Sequence, residues 1–537
     1  MTDGIMASQE FTSSTISNIQ PLLDEFLSLP PSNKLLYGSI AFLFSYIFFY
    51  IPIRFIYRLC FDPLSKIPGP KYVLLSENWN KFSWLVFPWK KGREAVTLKK
   101  WHDKYGPIVR TGPRHVSFND IEVYNQIYKV NTKFSKSSDF YNHPSANESI
   151  VETLDIKEAH ARRAAFAPYF SKPAVHKLED LIQSKVTFFL TRIQELGTNI
   201  NISRGLRCLT VDIITTYSYE ESFNALSDPT FSPGWLLGFE QLLDTTATQN
   251  FLPGTFAAIE YVLEKFIPRS YVSKISPMMG DVLKFTDTCS SAVMKQKFRY
   301  LSGERDMVTI FAQLFEDDEK RGRKALTDKQ LIHDAISTVA AGMDTTGHTL
   351  TYAIYYLVKY PEVQKRLLEE LKGVIGSPRA DVKEEVLGNL PFLQACIKES
   401  LRFSHGVPGP LPRDAPAGGA TFLGHHLPAG TVILNSAYTY HTNPAVFPDP
   451  FKWDPSRWLV EDTKDMQRYF MPFSRGSRIC IGMNLAEAEL SLALGRFVRR
   501  FEFGFMEGFQ DSDMEWTSVL VPKTKGMLMI WAKEREE

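Results

Sequence analysis

The most constraining stretch of this chain is ten residues long: Phe473-Ser474-Arg475-Gly476-Ser477-Arg478-Ile479-Cys480-Ile481-Gly482. It sets a cysteine between two glycines, with an aromatic at the start and an arginine two residues before the sulfur. A helical pattern follows from about Asn484 to Arg500, with Leu485, Leu490, Leu494, Phe497 and Val498 mostly on one stripe. The other cysteines, Cys60, Cys208, Cys289 and Cys396, lie far apart, and no two of the five stand in C-x-x-C spacing. Such a set argues against a disulfide framework or a zinc site. Those four read as small buried hydrophobes; for Cys60, beside an apolar run, lipidation is an alternative.

All five fixed positions of F-x-x-G-x-R-x-C-x-G are met, and here the sequence resembles the cytochrome P-450 family, whose haem-binding signature this is. The resemblance implies Cys480 as axial ligand of the iron of haem b, in the thiolate form that binds metals. Gly476 and Gly482 are expected to take conformations closed to other residues, wrapping the backbone round the sulfur so that amides tune the iron. The following helix points its positive end at the anion. Phe473 is expected to shield the sulfur, and Arg478 to pair a haem propionate. Thiolate ligation favours O–O cleavage.

A second pattern, Ala341-Gly342-Met343-Asp344-Thr345-Thr346, lies inside a long predicted helix from about Asp328 to Tyr360, ended by Pro361. Glycine in mid-helix costs about 1 kcal/mol against alanine and needs a reason; a threonine hydroxyl can bond a carbonyl one turn back and bend the helix. Together they are expected to open a groove for dioxygen. In the resembling family this motif covers the distal haem face, which makes Asp344 the proton-relay acid and Thr345 the hydroxyl that orients water and oxygen. Glu399 and Arg402 stand three apart on a further helix over 390–403. With Arg457, in the run Phe451 to Trp458, they match the family's buried triad, whose role is structural. Arg413 matches a propionate contact. Arg163, ahead of Pro168-Tyr169-Phe170, matches another, although Ala159 replaces the aromatic that opens that motif.

Residues 35–53 carry no charge and are long enough to cross a hydrocarbon core of about 30 Å as one helix. Arg54, Arg58 and Lys66 follow the run, and Asp24 and Glu25 precede it. The positive-inside bias therefore places the bulk of the chain in the cytosol, with the sequons at Asn147 and Asn201 unmodified. Pro68-Gly69-Pro70 is a stiff non-helical connector. The expected organisation is a tail over 1–34, an anchor over 35–53, a hinge over 54–70 and a catalytic domain over 71–537. The charged run 316–324 is expected to be a solvated loop. With 61 Lys+Arg against 60 Asp+Glu, nothing supports nucleic-acid binding.

Strand-like pieces are short, at 108–110, 116–118, 420–423, 431–434 and 527–531. The fold class expected is therefore mainly α with small β-sheets, the haem-thiolate fold behind one transmembrane helix. The resemblance implies a monooxygenase of the endoplasmic reticulum membrane, with O2 as co-substrate. No G-x-G-x-x-G segment is present to bind a dinucleotide, so NADPH would act through a separate flavoprotein reductase, with cytochrome b5 as a second donor. Arg162, Arg475, Arg496 and Arg499 are candidates for the docking face. Two alternatives stand beside it: a haem-thiolate isomerase or dehydratase, which has no use for the Asp344-Thr345 relay, and a non-catalytic haem-binding protein. The resemblance places the substrate among 137–153, 231–269, 338–341, 407–411 and 517–520, with Phe251, Leu252, Val407 and Leu411 as side chains there, which suits an apolar ligand. The Gly406-to-Pro410 turn resembles fungal microsomal members, including trichodiene-oxygenase-like enzymes. That implies a terpenoid or polyketide intermediate of secondary metabolism.

Overall fold

The computed structural model describes residues 30–75, 92–141, 148–241, 265–304, 309–518 and 520–536, together with Pro21, Ser28, Ala258 and Val262. Five helices position the site: α1 (Ile156–Phe166), α2 (Ile202–Tyr219), α3 (Asp328–Lys359), α4 (Pro391–Ser404) and α5 (Met483–Arg500). The predicted boundaries of α3, α4 and α5 hold to within one residue. α3 begins at a capping box, in which Thr327 and Gln330 satisfy each other's backbone amides, and stops where Pro361 can no longer continue it.

α2 and α3 pack side by side through the middle of the molecule. Gly342 and Gly347 make this possible: a Cβ at Gly342 would lie 3.0 Å from Ile214, and one at Gly347 would lie 3.1 Å from the Arg207 backbone. The Thr210 hydroxyl then donates to the Met343 carbonyl at 2.7 Å. The mid-helix glycine thus serves a helix–helix contact, and α3 is helical throughout from Asp328 to Lys359. Leu206, Met343, Leu401 and Leu494 belong to the main core around these helices.

The largest sheet has five strands in the order β1-β2-β5-β4-β3: β1 (Ile108–Arg110), β2 (His115–Phe118), β3 (Ser135–Lys136), β4 (Arg413–Asp414) and β5 (Val432–Leu434). β2 and β5 are parallel and the other pairs antiparallel. A second core of Val116, Phe118, Ile433 and Tyr440 lies under it. Near the C-terminus, β6 (Trp516–Ser518) and β7 (Pro522–Thr524) form a hairpin.

The N-terminal apolar helix runs from Pro31 to Cys60, past the expected end at Ile53, and contains a π turn at Tyr46–Tyr50. Thirty residues reach about 45 Å. Its last turn is fastened to the body. Arg58 donates to the Leu74 carbonyl at 2.7 Å, and Arg110 donates to the Arg58 carbonyl at 2.9 Å and pairs with Asp62 at 3.0 Å. Gly69 leaves no room for a Cβ, which would sit 2.2 Å from the Arg110 carbonyl. The charged run 316–324 is not all loop: Glu316 to Lys320 complete the helix Ile310–Lys320, and Asp318 is buried against Arg323.

Candidate active site

The cysteine loop folds through its own backbone. Ser474 donates to the Met471 carbonyl and Ile479 to that of Gly476, both at 3.1 Å, and Cys480 donates to that of Phe473 at 2.8 Å. Gly476 sits at φ +71°, where a Cβ would lie 2.3 Å from the Tyr128 carbonyl, so glycine is required. Gly482 differs from expectation. Its φ is −85° and a Cβ would meet nothing within 4 Å. Its contribution is a backbone amide that lowers the pKa of the Cys480 thiol. The Cys480 side chain is exposed, yet it sits deep enough that burial pushes its thiol up, against the Gly482 amide and the charge of Arg163. Phe473 packs on the main core.

Arg163 acts on that sulfur, and Arg163 in turn belongs to a group of cations. Arg478 donates to the Thr153 carbonyl at 2.8 Å; desolvation and the neighbouring charges of Arg413 and Arg163 pull its guanidinium down to about 10. Arg413 is buried, donates to the Pro412 carbonyl at 2.9 Å, and lies 4.9 Å from the Tyr128 ring centre. Lys136 escaped the sequence reading. It pairs across strands with Arg413 in the β3–β4 register, an unfavourable placing for like charges. Its ammonium donates to the Val151 carbonyl at 2.6 Å and lies 4.2 Å from the Tyr141 ring centre. Burial and the charges of Arg413, Arg478 and Arg163 hold it well below the usual lysine range. The carboxylates felt here are Glu152 and Asp155. Lys136 and Arg478 each feel Arg163 and Arg413, and Arg163 reaches the open thiol, a donor set suited to a metal-bearing dianion. The residues present therefore fit a haem with two propionates.

Asp344 and Thr345 face different ways. The Thr345 hydroxyl donates to the Ala341 carbonyl at 2.9 Å, and between Leu331 and Val358 Ala341 alone is exposed among the residues of α3. Asp344 is buried and ion-paired with Arg207 of α2, which donates through Nε at 2.7 Å; burial pushes its carboxyl up and Arg207 pulls it down. Elsewhere, Glu399 accepts from Arg402 at 2.8 and 2.9 Å, Arg457 at 2.9 Å, Trp458 Nε1 at 2.9 Å and the Asp454 amide at 3.0 Å. The three triad residues thus meet, and Trp458 joins them without a sequence signal that singled it out.

The four arginines expected to form a docking face do not form one. Arg162 is buried against Asp334 at 2.5 Å. Arg496 is buried, bound to Gln183 and Asp381. Arg499 is buried under the Ile375 carbonyl, which accepts from it at 2.9 Å. Arg475 bonds Asn125 and the Arg468 carbonyl. Each is spent on holding elements together. Of the expected substrate walls, Val407 and Leu411 are half-buried, while Phe251 and Leu252 lie outside the described residues.

The chain is similar to known proteins along most of its length. The family model for Cytochrome P-450 matches residues 77–530. The cytochrome P-450 monooxygenase macH of Penicillium terrestre is 31% identical over 497 residues, covering 91% of this chain and 96% of its own. The monooxygenase hkm5 of Aspergillus hancockii is 32% identical, covering 88% and 91%. The monooxygenase oblB of Cochliobolus heterostrophus is 30% identical, covering 96% and 97%. With its signature loop, its helical body and relatives aligned along nearly their whole length, the chain belongs to the cytochrome P-450 family and is a monooxygenase.

Proposed function

We propose that this monooxygenase holds haem b through the Cys480 sulfur and oxidises an apolar terpenoid or polyketide intermediate of secondary metabolism. The observation that carries the cofactor assignment is the basic cluster: Lys136 and Arg478 lie among Arg163 and Arg413, and Arg163 acts on the exposed Cys480 thiol. A buried charge needs compensation, and propionates supply it. When bound, haem supplies the activation of dioxygen. The chain's own residues do the rest. The Gly482 amide stabilises the sulfur as an anion, and the start of α5 favours the same charge. The Thr345 hydroxyl holds a proton beside the exposed Ala341 of α3, and the Asp344 carboxyl supplies protons from the α2 side. Glu399, Arg402 and Arg457 support the fold and take no part in chemistry. Residues 35–53 anchor the protein in the endoplasmic reticulum membrane, behind a hinge over 54–70. A flavoprotein reductase, with cytochrome b5 beside it, delivers the electrons of NADPH. The half-buried Val407 and Leu411 suit an apolar substrate, and the names of the relatives are those of fungal monooxygenases.

The test is a carbon-monoxide difference spectrum of the reduced protein, followed by product analysis with candidate terpenes and polyketides, reductase and NADPH. The thiolate spectrum is expected in the wild type and its loss in Cys480→Ala. A histidine-type spectrum in the wild type overturns the cofactor assignment, and turnover of polar substrates alone overturns the substrate class.

A further inference from the structure

One guanidinium ties the relay acid to the substrate side of the molecule. Arg207 rises from α2 where Gly347 lets the two helices touch; a Cβ there would press on Arg207 Cγ at 3.0 Å. Its Nε and Nη2 reach Asp344 Oδ1 at 2.7 and 2.5 Å, while its Nη1 donates to Glu240. Glu240 is itself buried. Arg204 pairs with its other oxygen at 3.2 Å, and Lys523 of β7 reaches its carbonyl at 3.5 Å. Two buried carboxylates therefore share one guanidinium. Glu240 lies in the segment 231–269 expected to line the substrate, and Lys523 lies on the hairpin just beyond 517–520.

We propose that Arg207 is the positioning residue of the proton relay: divided between Asp344 and Glu240, it sets how firmly the Asp344 carboxylate is held and therefore when it takes up a proton. This rests on Asp344 being the relay acid. The charged groups that act on Asp344 are Arg207 and Glu240. On its own helix His348 follows one turn later; burial and Arg207 push this imidazole down to about 3, so it stays neutral. Asp344 must be protonated when it donates, so the product-forming rate falls as pH rises through its pKa. Removing an opposite charge raises a carboxyl pKa by about 1–3 units. Removing Glu240's charge takes away a like charge and leaves Arg207 to Asp344 alone, which lowers it.

The experiment compares Arg207→Gln, Arg207→Lys, Glu240→Gln and Asp344→Asn in the full-length haem protein with its reductase. The expected result is opposite movement of the descending limb in product per NADPH: up in Arg207→Gln, down in Glu240→Gln, and near the wild-type position in Arg207→Lys. An activity-independent readout accompanies it. The infrared band of a protonated carboxyl is expected to appear at neutral pH in Arg207→Gln and to vanish when Asp344→Asn is added. Limbs that stay put or move together, with no new band, overturn the role of Arg207 even if Asp344→Asn uncouples the enzyme. If Asp344→Asn leaves coupling unchanged, the relay assignment falls and this inference with it. Should Arg207→Gln fail to fold, Glu240→Gln and Arg207→Lys still decide the matter by the direction of the limb.

Discussion

Two charged clusters in this molecule use the same residue types to opposite ends. At Glu399, one carboxylate receives two guanidinia, an indole and an amide, and Glu399 and Arg402 are fully buried. Near Cys480, Arg163 acts on an exposed sulfur and, with Arg413, on Lys136 and Arg478, with Glu152 and Asp155 as the neighbouring carboxylates. Both clusters cost desolvation. The first returns that cost within the chain and is complete. The second is electrostatically incomplete and fits an anionic ligand. On the proposed function, the closed cluster serves structure and the open one a ligand.

The sharpest way to break this contrast is at the closed cluster. Glu399→Gln keeps the shape but leaves Arg402 and Arg457 buried without their counter-charge. Loss of one partner from such a set costs about 3–5 kcal/mol. Denaturant unfolding is expected to show a fall of that size, with little chain folded at warm temperatures. A fall of under about 1 kcal/mol would mean the cluster is not closed as described.

Backbone strain gives the next effect. Gly476→Ala forces a Cβ into the left-handed region and against the carbonyl of Tyr128. A non-glycine residue held there costs about 1–3 kcal/mol. Since the contact is with backbone, relief moves the whole loop. Lower thermal stability and weakened haem retention are expected together. Gly482→Ala, at an ordinary φ with free space around it, is expected to leave melting unchanged.

These glycines also show where sequence reasoning reaches its limit. Spacing and periodicity sufficed for α3, α4 and α5, because long amphipathic helices with caps and prolines carry local signals. The signature loop was legible because its chemistry is concentrated in ten residues. Lys136 was not, because its neighbour Arg413 comes from a strand far along the chain. Arg207 stayed hidden for the same reason: its partners Asp344 and Glu240 are joined only by helix packing. The arginines assigned to a docking face, Arg162 above all, show that a charge has no legible destination until its neighbours are known.

A pH experiment probes a closed pair bordering the open cluster. Asp334 accepts from Arg162 and, at 2.6 Å, from the Ile150 amide. Burial outweighs both and pushes its carboxyl up to about 6. An acid raised above its unfolded value, about 3.9, adds stability that is full below that value and is lost as pH rises through the folded one. Between about pH 4 and 6 stability should therefore fall with rising pH because of this group, by at most about 1.4 kcal/mol per pH unit. Asp334→Asn should flatten that slope. An unchanged slope in the variant would show that Arg162 holds Asp334 ionised throughout.

The smallest expected effect on folding falls on Cys480, the residue proposed to hold the haem. Cys480→Ala removes one sulfur from a side chain that is already exposed and whose amino-side neighbours are held by their own backbone bonds. Substitutions away from packed or paired groups change stability by about 0.5 kcal/mol or less. The haem-free variant should therefore unfold with the haem-free wild type in denaturant, and its helix content by circular dichroism should match. The reduced carbon-monoxide spectrum and product formation should both be lost. If the variant instead unfolded like Glu399→Gln, the cysteine loop would be part of the closed framework. The cations around it would then need another explanation than a ligand.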